Sequence, residues 1–259
     1  MKKLYWILCF ACLSLSLSVN AQSSAEFCKK YKDDIVSQIK IRADRSKGAV
    51  QCKVWPANPE LALLAWQLSD NNEDVSYDER SNSDIQIVIA SAATGKIISQ
   101  FIDERVMFND ALSSGGLKLD TARYKLNKST TAFGLRFNYS NDYASLYYLN
   151  LYTFKNNKIS NILKNLHVKT GYSVERFAGC HAATGEMKSF IVIQDKKVNN
   201  GYASLLYKKT RIKGKLIPIA DSDKCGKGPS EVFKGSISLA FDGTRYNIPD
   251  NFSDFLYDR

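Results

Sequence analysis

The stretch Ile85-Gln86-Ile87-Val88-Ile89-Ala90, followed by Thr94-Gly95-Lys96 and the run Ile97–Phe101, decides the fold class. Isoleucine at every second position matches the two-residue period of an extended strand, whose successive side chains point to opposite faces. A turn built on glycine then returns the chain into a second apolar run, which is the pattern of a β-hairpin. The pattern continues downstream. Leu117–Leu126 and Ala132–Tyr139 read as strands, and Leu146–Phe154 is apolar on both faces, as a central strand would be. Asn156-Asn157-Lys158 turns that run into Ile159–Leu163. Phe190–Ile193, Tyr202–Tyr207, Leu216–Ile219 and Ile237–Phe241 follow, the last turning at Asp242-Gly243. No proline falls between Pro59 and Pro218, so nothing in that span forbids long paired strands.

Upstream the period changes. Phe27, Tyr31, Ile35 and Ile39 recur every four residues with Lys29, Lys30, Asp33 and Asp34 between them, which predicts one amphipathic helix over Ser24 to Lys40. The expected organisation is a helical segment over residues 22–50 and a single β-rich domain over residues 51–259. An internal echo suggests repeated units. Asp142-Tyr143-Ala144-Ser145-Leu146 returns as Gly201-Tyr202-Ala203-Ser204-Leu205, 59 residues later. Asn157-Lys158-Ile159 is matched by Gly214-Lys215-Leu216 and by Gly95-Lys96-Ile97, which predicts hairpin turns at all three places. The fold class is therefore mainly β, with antiparallel sheets in repeated four-stranded units, propeller-like or sandwich, and one N-terminal helix.

The N-terminus predicts export. Lys2 and Lys3 precede an uncharged apolar run from Leu4 to Leu17, and Val19-Asn20-Ala21 offers a signal-peptidase site, so cleavage is expected after Ala21. That run is too short to favour a transmembrane anchor. Cys9 and Cys12 lack the context of a lipidation site. Loss of 21 residues leaves Cys28, Cys52, Cys180 and Cys225, an even count that suits two disulfides in an oxidising periplasm. Four cysteines allow three pairings, of which sequence proximity favours Cys28–Cys52 with Cys180–Cys225. With 34 basic against 26 acidic residues, the chain after cleavage carries a net charge of +8. In an exported protein such a charge suits an anionic envelope component or another periplasmic protein rather than nucleic acid, or serves solubility alone.

Ser37-Gln38-Ile39-Lys40, Ser69-Asp70-Asn71 and Lys169-Thr170-Gly171 reproduce in order the three short motifs of serine β-lactamases and penicillin-binding proteins. In that chemistry Ser37 would be acylated, Lys40 would tune its proton and Lys169 would hold a substrate carboxylate. The context is wrong: Ser37 follows the cleavage site too closely, and the region from Leu117 to Leu163 reads as strands where helices are needed. Other hydrolase, dinucleotide and phosphate-loop signatures are absent, and no cofactor is implied. Asp70, Asn72 and Asp74 alternate like half a calcium loop, but Ser81 stands where a bidentate glutamate belongs, so no metal site is assigned. No catalytic residue is named.

Two binding surfaces remain as candidates. Lys208, Lys209, Arg211, Lys213 and Lys215 form the densest basic run, read as flanking a hairpin turn, where lysines also discourage edge-to-edge pairing. Tyr148 and Tyr152, with Asn150 between them, lie on one predicted strand and could form a stacking platform, or could simply fill the core.

Four stretches carry a resemblance: Cys52-Lys53-Val54-Trp55-Pro56, Leu119-Asp120-Thr121-Ala122-Arg123-Tyr124, Ala132-Phe133-Gly134-Leu135-Arg136, and Gly201-Tyr202-Ala203 after Cys180. On these the chain resembles a group of exported, periplasmic proteobacterial proteins of unknown function. The resemblance implies a periplasmic address and brings no catalytic residue. The expected function is binding of an envelope component or partner protein without catalysis. A periplasmic immunity or inhibitor protein against a toxic enzyme is the first alternative, and an envelope hydrolase using Ser37, Lys40 and Lys169 the second.

Overall fold

The computed structural model describes residues 23–41, 45–70, 82–108, 113–140, 144–173, 180, 183–220, 222 and 224–249. The expected signal peptide and most of the acidic Asp70–Asp84 loop lie outside them.

The chain opens with helix α1 (Ser24–Gln38). Ser23 starts it: its Oγ accepts from the Glu26 amide at 3.2 Å, and the Glu26 carboxylate accepts from the Ser23 amide at 3.4 Å. This reciprocal cap satisfies two amides that the first turn would otherwise leave unpaired. The helix ends where Ile39 becomes extended. The predicted stripe is the buried face, with Phe27, Ile35 and Ile39 packing on Leu64, Trp66, Val88 and Ala90. Tyr31 sits at its margin, and its hydroxyl donates to the Ala93 carbonyl at 3.1 Å. Its ring fills the space beside Gly95, which turns the chain at φ +71°.

Among the described residues twelve strands follow in two antiparallel sheets. The first holds β1 (Arg45–Lys47), β2 (Gln51–Val54), β3 (Leu61–Asp70), β4 (Asn82–Ser91) and β5 (Ile97–Phe108). β1 and β2 share one edge of β3, pairing with residues 68–70 and 62–65 respectively, so five strands occupy four columns. The second sheet holds β6 (Ser113–Lys125), β7 (Thr131–Ser140), β8 (Ala144–Lys155), β9 (Lys158–Ser173), β10 (Ala183–Asn199), β11 (Tyr202–Pro218) and β12 (Cys225–Leu239), each beside its neighbour in sequence.

β4 shows why the sheets stack. Ile85, Ile87 and Ile89 face Phe133, Leu135 and Phe137 of β7 across the inter-sheet core, while Val88 and Ala90 face α1. Both faces of the strand are covered. Each fully buried side chain of this size contributes roughly 1.5–3 kcal/mol against exposure. The architecture is the sandwich alternative, and the strands form no propeller closure among the described residues.

A second core lies on the opposite face of β8 and β9. Leu149, Leu151, Leu163 and Leu166 pack there against Leu205, Tyr207, Leu239 and Phe241. The sheet reaches itself by parting: β10 pairs with β9 only between residues 184–188 and 169–173. Beyond that point Ser189 Oγ and the Tyr207 hydroxyl donate to the His167 carbonyl at 3.0 and 2.5 Å. The three-stranded ribbon β10–β12 thus swings beneath β8 and β9, and the amides of Ala203 and Tyr246 donate to the Leu126 and Ile162 carbonyls, each at 2.7 Å.

The disulfides are Cys28–Cys52, tying α1 to β2, and Cys180–Cys225, at the far end of the ribbon. One expectation is corrected. Gly214-Lys215-Leu216 is no turn but lies inside β11, so Tyr202–Tyr207 and Leu216–Pro218 belong to one strand, with Ile219 just past its end. Gly95-Lys96-Ile97 and Asn157-Lys158-Ile159 do lie at hairpin connections, between β4 and β5 and between β8 and β9.

Candidate functional site

Because β11 is continuous, its basic residues acquire an order that a turn would not give them. β10 and β11 pair without interruption from Ala183↔Lys215 to Gln194↔Ser204. Lys209, Arg211, Lys213 and Lys215 therefore share one face, about 7 Å apart from one to the next. Leu205 and Tyr207 continue the same face into the second core. The row is the part of this face that outruns the core.

Its neighbours carry little charge. Across β10 stand Ser189, Met187, Gly185 and Ala183, and across β12 stand Gly235, Phe233 and Glu231. The Arg211 guanidinium lies 5.8 Å from the Phe233 ring centre, a cation–π contact. One strand further, Tyr172 of β9 pairs with Gly185, and its ring occupies the space a side chain there would take. The row thus runs between two aromatic rings, with Glu231 opposite Lys213 as the acid in register with it. At its end a groove of about 370 Å³ is lined by Lys213, Gly214, Lys215, Pro229, Ser230 and Glu231. The groove forms where β12 spends two residues, Gly228 and Pro229, against the single Lys215 of β11.

Like charges in a row repel. At about 7 Å an adjacent pair costs roughly 0.6 kcal/mol in a water-like dielectric, and more where water is displaced. An anion laid along the row removes that cost. At the inner end burial, with repulsion from Lys209 added, pushes the His167 imidazole down to about 4, against a hydrogen bond that the ring donates to the Lys169 backbone. His167 also stacks on Tyr148 and bonds to the Thr170 hydroxyl.

The tyrosine surface comes out differently. Asn150 and Tyr152 are fully buried. The Tyr152 hydroxyl accepts from Asn150 Nδ2 at 3.1 Å and donates to Asp103 Oδ2 at 2.7 Å, and Asn161 Nδ2 donates to that oxygen at 2.6 Å. The Asn150 carbonyl oxygen accepts from the Asn165 amide at 2.6 Å. Burial first, and the Asp103 charge second, push the Tyr152 phenol well above its ordinary value. This network joins β5 to β8 and β9 and offers no external face. Tyr148 alone is half-buried, between Phe137 and His167.

The acyl-enzyme residues are not gathered into a site. Ser37 is exposed on α1 and its hydroxyl donates to the Asp34 carbonyl at 2.7 Å. Lys40 lies past the helix end. Lys169 belongs to the other sheet, over the Tyr147 ring at 5.1 Å. Asn71, and with it the calcium-like loop, falls outside the described residues. Among the described residues no three metal-ligating side chains cluster and no helix is long and apolar enough to cross a membrane.

Two of the stretches that carried the resemblance meet in β6 and β7. Asp120 accepts from Arg136 Nε at 2.6 Å, the Tyr124 hydroxyl at 2.8 Å and the Ala122 amide at 2.9 Å. Burial raises this carboxyl, but the Ala122 amide, Tyr124 and Arg136 together hold it below its ordinary value. Sequence reasoning missed Tyr172 and Phe233. Gly185 was the available signal for Tyr172, because a glycine inside a strand marks a close approach. Comparison with known proteins returned no matching family model, no matching curated protein and no matching solved structure.

Proposed function

We propose that the protein works in the periplasm by binding, without catalysis, and that its ligand is an extended anionic component of the envelope. The observation that carries this reading is the alignment of Lys209, Arg211, Lys213 and Lys215 on one strand face between Tyr172 and Phe233. Evenly spaced cations favour a chain bearing repeated phosphates, sulfates or carboxylates over a single small anion. The rings add stacking area for sugar or other planar groups. Export supplies the compartment in which such a ligand is met, and two disulfides are compatible with it.

The test is titration of the protein with dextran sulfate, with neutral dextran as control. Binding is expected for the sulfated polymer alone, weakening as salt rises. The variant Lys209→Gln/Arg211→Gln/Lys213→Gln should bind about tenfold or more weakly with an unchanged thermal midpoint. Equal binding by this variant and the parent protein would remove the row as the site.

A further inference from the structure

The other face of the β10–β12 ribbon carries a second feature, independent of the basic row. On a strand whose upper face meets the core, the lower face should be polar where nothing covers it. Here it is not. Phe190 is 57% exposed, Val192 40% and Val232 56%, and strand register puts all three on the face opposite Lys209 and Arg211. Lysines are threaded among them. Lys188 and Lys234 flank Thr210 in one cross-strand row, and Lys208 stands beside Phe190 in the next. The acid among these residues, Glu186, is held by Lys188 at 2.6 Å, a contact that also lowers its carboxyl below the usual value.

We propose that this face docks on the surface of an anionic phospholipid bilayer. The mixture of residues selects that occupant. Protein–protein interfaces are depleted of lysine, above all at their centres, whereas here lysines sit between the apolar groups. A second copy of the same face would set Lys188, Lys208 and Lys234 against their own kind, with Glu186 already engaged. A headgroup layer accepts both parts at once. Phe190, Val192 and Val232 enter the boundary between headgroups and acyl chains while the lysine ammoniums stay at the level of the phosphates. Docked in this way, the ribbon would present its opposite, basic face away from the lipid.

The experiment uses the protein beginning at Gln22, so that the apolar run Leu4–Leu17 contributes nothing. It is sedimented with vesicles of phosphatidylglycerol mixed with phosphatidylcholine, and with vesicles of phosphatidylcholine alone. Association is expected with the anionic vesicles only, and about tenfold or more weaker for Phe190→Ser/Val232→Ser. Phe190→Trp should show a blue-shifted emission on vesicle addition, over a constant background from the buried Trp55 and Trp66. Absence of binding to anionic vesicles overturns the proposal. So does binding that survives the serine pair but is lost in Lys209→Gln/Arg211→Gln/Lys213→Gln, which would assign lipid to the opposite face. A homodimer that the serine pair dissolves in sedimentation velocity would also overturn it, by placing a second copy there.

Discussion

The ring of Tyr172 fills the place of the side chain that Gly185 lacks: a Cβ at Gly185 would stand 1.9 Å from Tyr172 Cε1. Gly185→Ala must therefore drive the ring off the strand. Tyr172 is only partly buried and the clash is with the far end of its side chain, so stability should fall by only about 1 kcal/mol. Polyanion affinity should fall further than that stability change suggests, because one of the two rings flanking the basic row is displaced. Urea unfolding and the dextran sulfate titration, run on the same variant, check both halves.

Gly134 supplies the contrast. A Cβ there would meet Leu149 Cδ1 at 2.8 Å and Asp120 Cβ at 3.2 Å, both held in packed surroundings. Gly134→Ala should cost about 1–3 kcal/mol by overpacking and leave the basic row on β11 unchanged. A lowered urea midpoint with normal polyanion binding is the expected pair of results.

Asp103 holds together groups from three strands. Asp103→Ala would leave the Tyr152 hydroxyl and Asn161 amide without this acceptor in a buried setting, at a cost of about 3 kcal/mol or more. Tyr152→Phe removes two bonds, the one accepted from Asn150 and the one donated to Asp103, and should cost about 1–3 kcal/mol. A double-mutant cycle should show strong coupling between the two positions, and additivity would refute a shared network.

Acid should weaken the fold in a definite window. His167 in the unfolded chain takes up its proton near pH 6.5, whereas in the folded chain burial pushes this down to about 4. Between those values the unfolded state binds more protons, so stability falls as pH falls, by up to roughly 3 kcal/mol. The depressed Asp120 carboxyl adds a further loss below about pH 4, when its folded form is finally protonated. Urea midpoints across this range should flatten in His167→Gln above about pH 4.

Reduction should act unevenly. Closing 24- and 45-residue separations restrains the unfolded chain by about 3.5 and 4 kcal/mol respectively. Cys180→Ser/Cys225→Ser should loosen the far end of the ribbon first. Hydrogen exchange is expected to quicken around Leu216 and Lys227 while Ile87 and Phe133 keep their protection.

The sandwich was legible wherever a core enforces periodicity. Ile85, Ile87 and Ile89 declare their strand because one face of it must meet Phe133 and Leu135. Legibility stops where the sheet outruns the core. From Lys208 to Lys215 the neighbouring strands offer a single buried side chain, Met187 opposite Arg211, too little to impose an alternation of apolar and polar residues, so a continuous strand looks like a turn rich in lysine and glycine. Asn150 fails for the opposite reason. Nothing local shows that its partner across the turn, the amide of Asn165, makes a buried asparagine tolerable.

Each strand of the second sheet lies beside the one made just before it, and each disulfide joins cysteines that are consecutive among Cys28, Cys52, Cys180 and Cys225. A chain delivered N-terminus first can therefore assemble in order of arrival. Every new hairpin finds its template waiting, and an oxidant that couples thiols as they emerge makes the native bonds without reshuffling. Such a protein should mature with an oxidase alone and have little need of a disulfide isomerase.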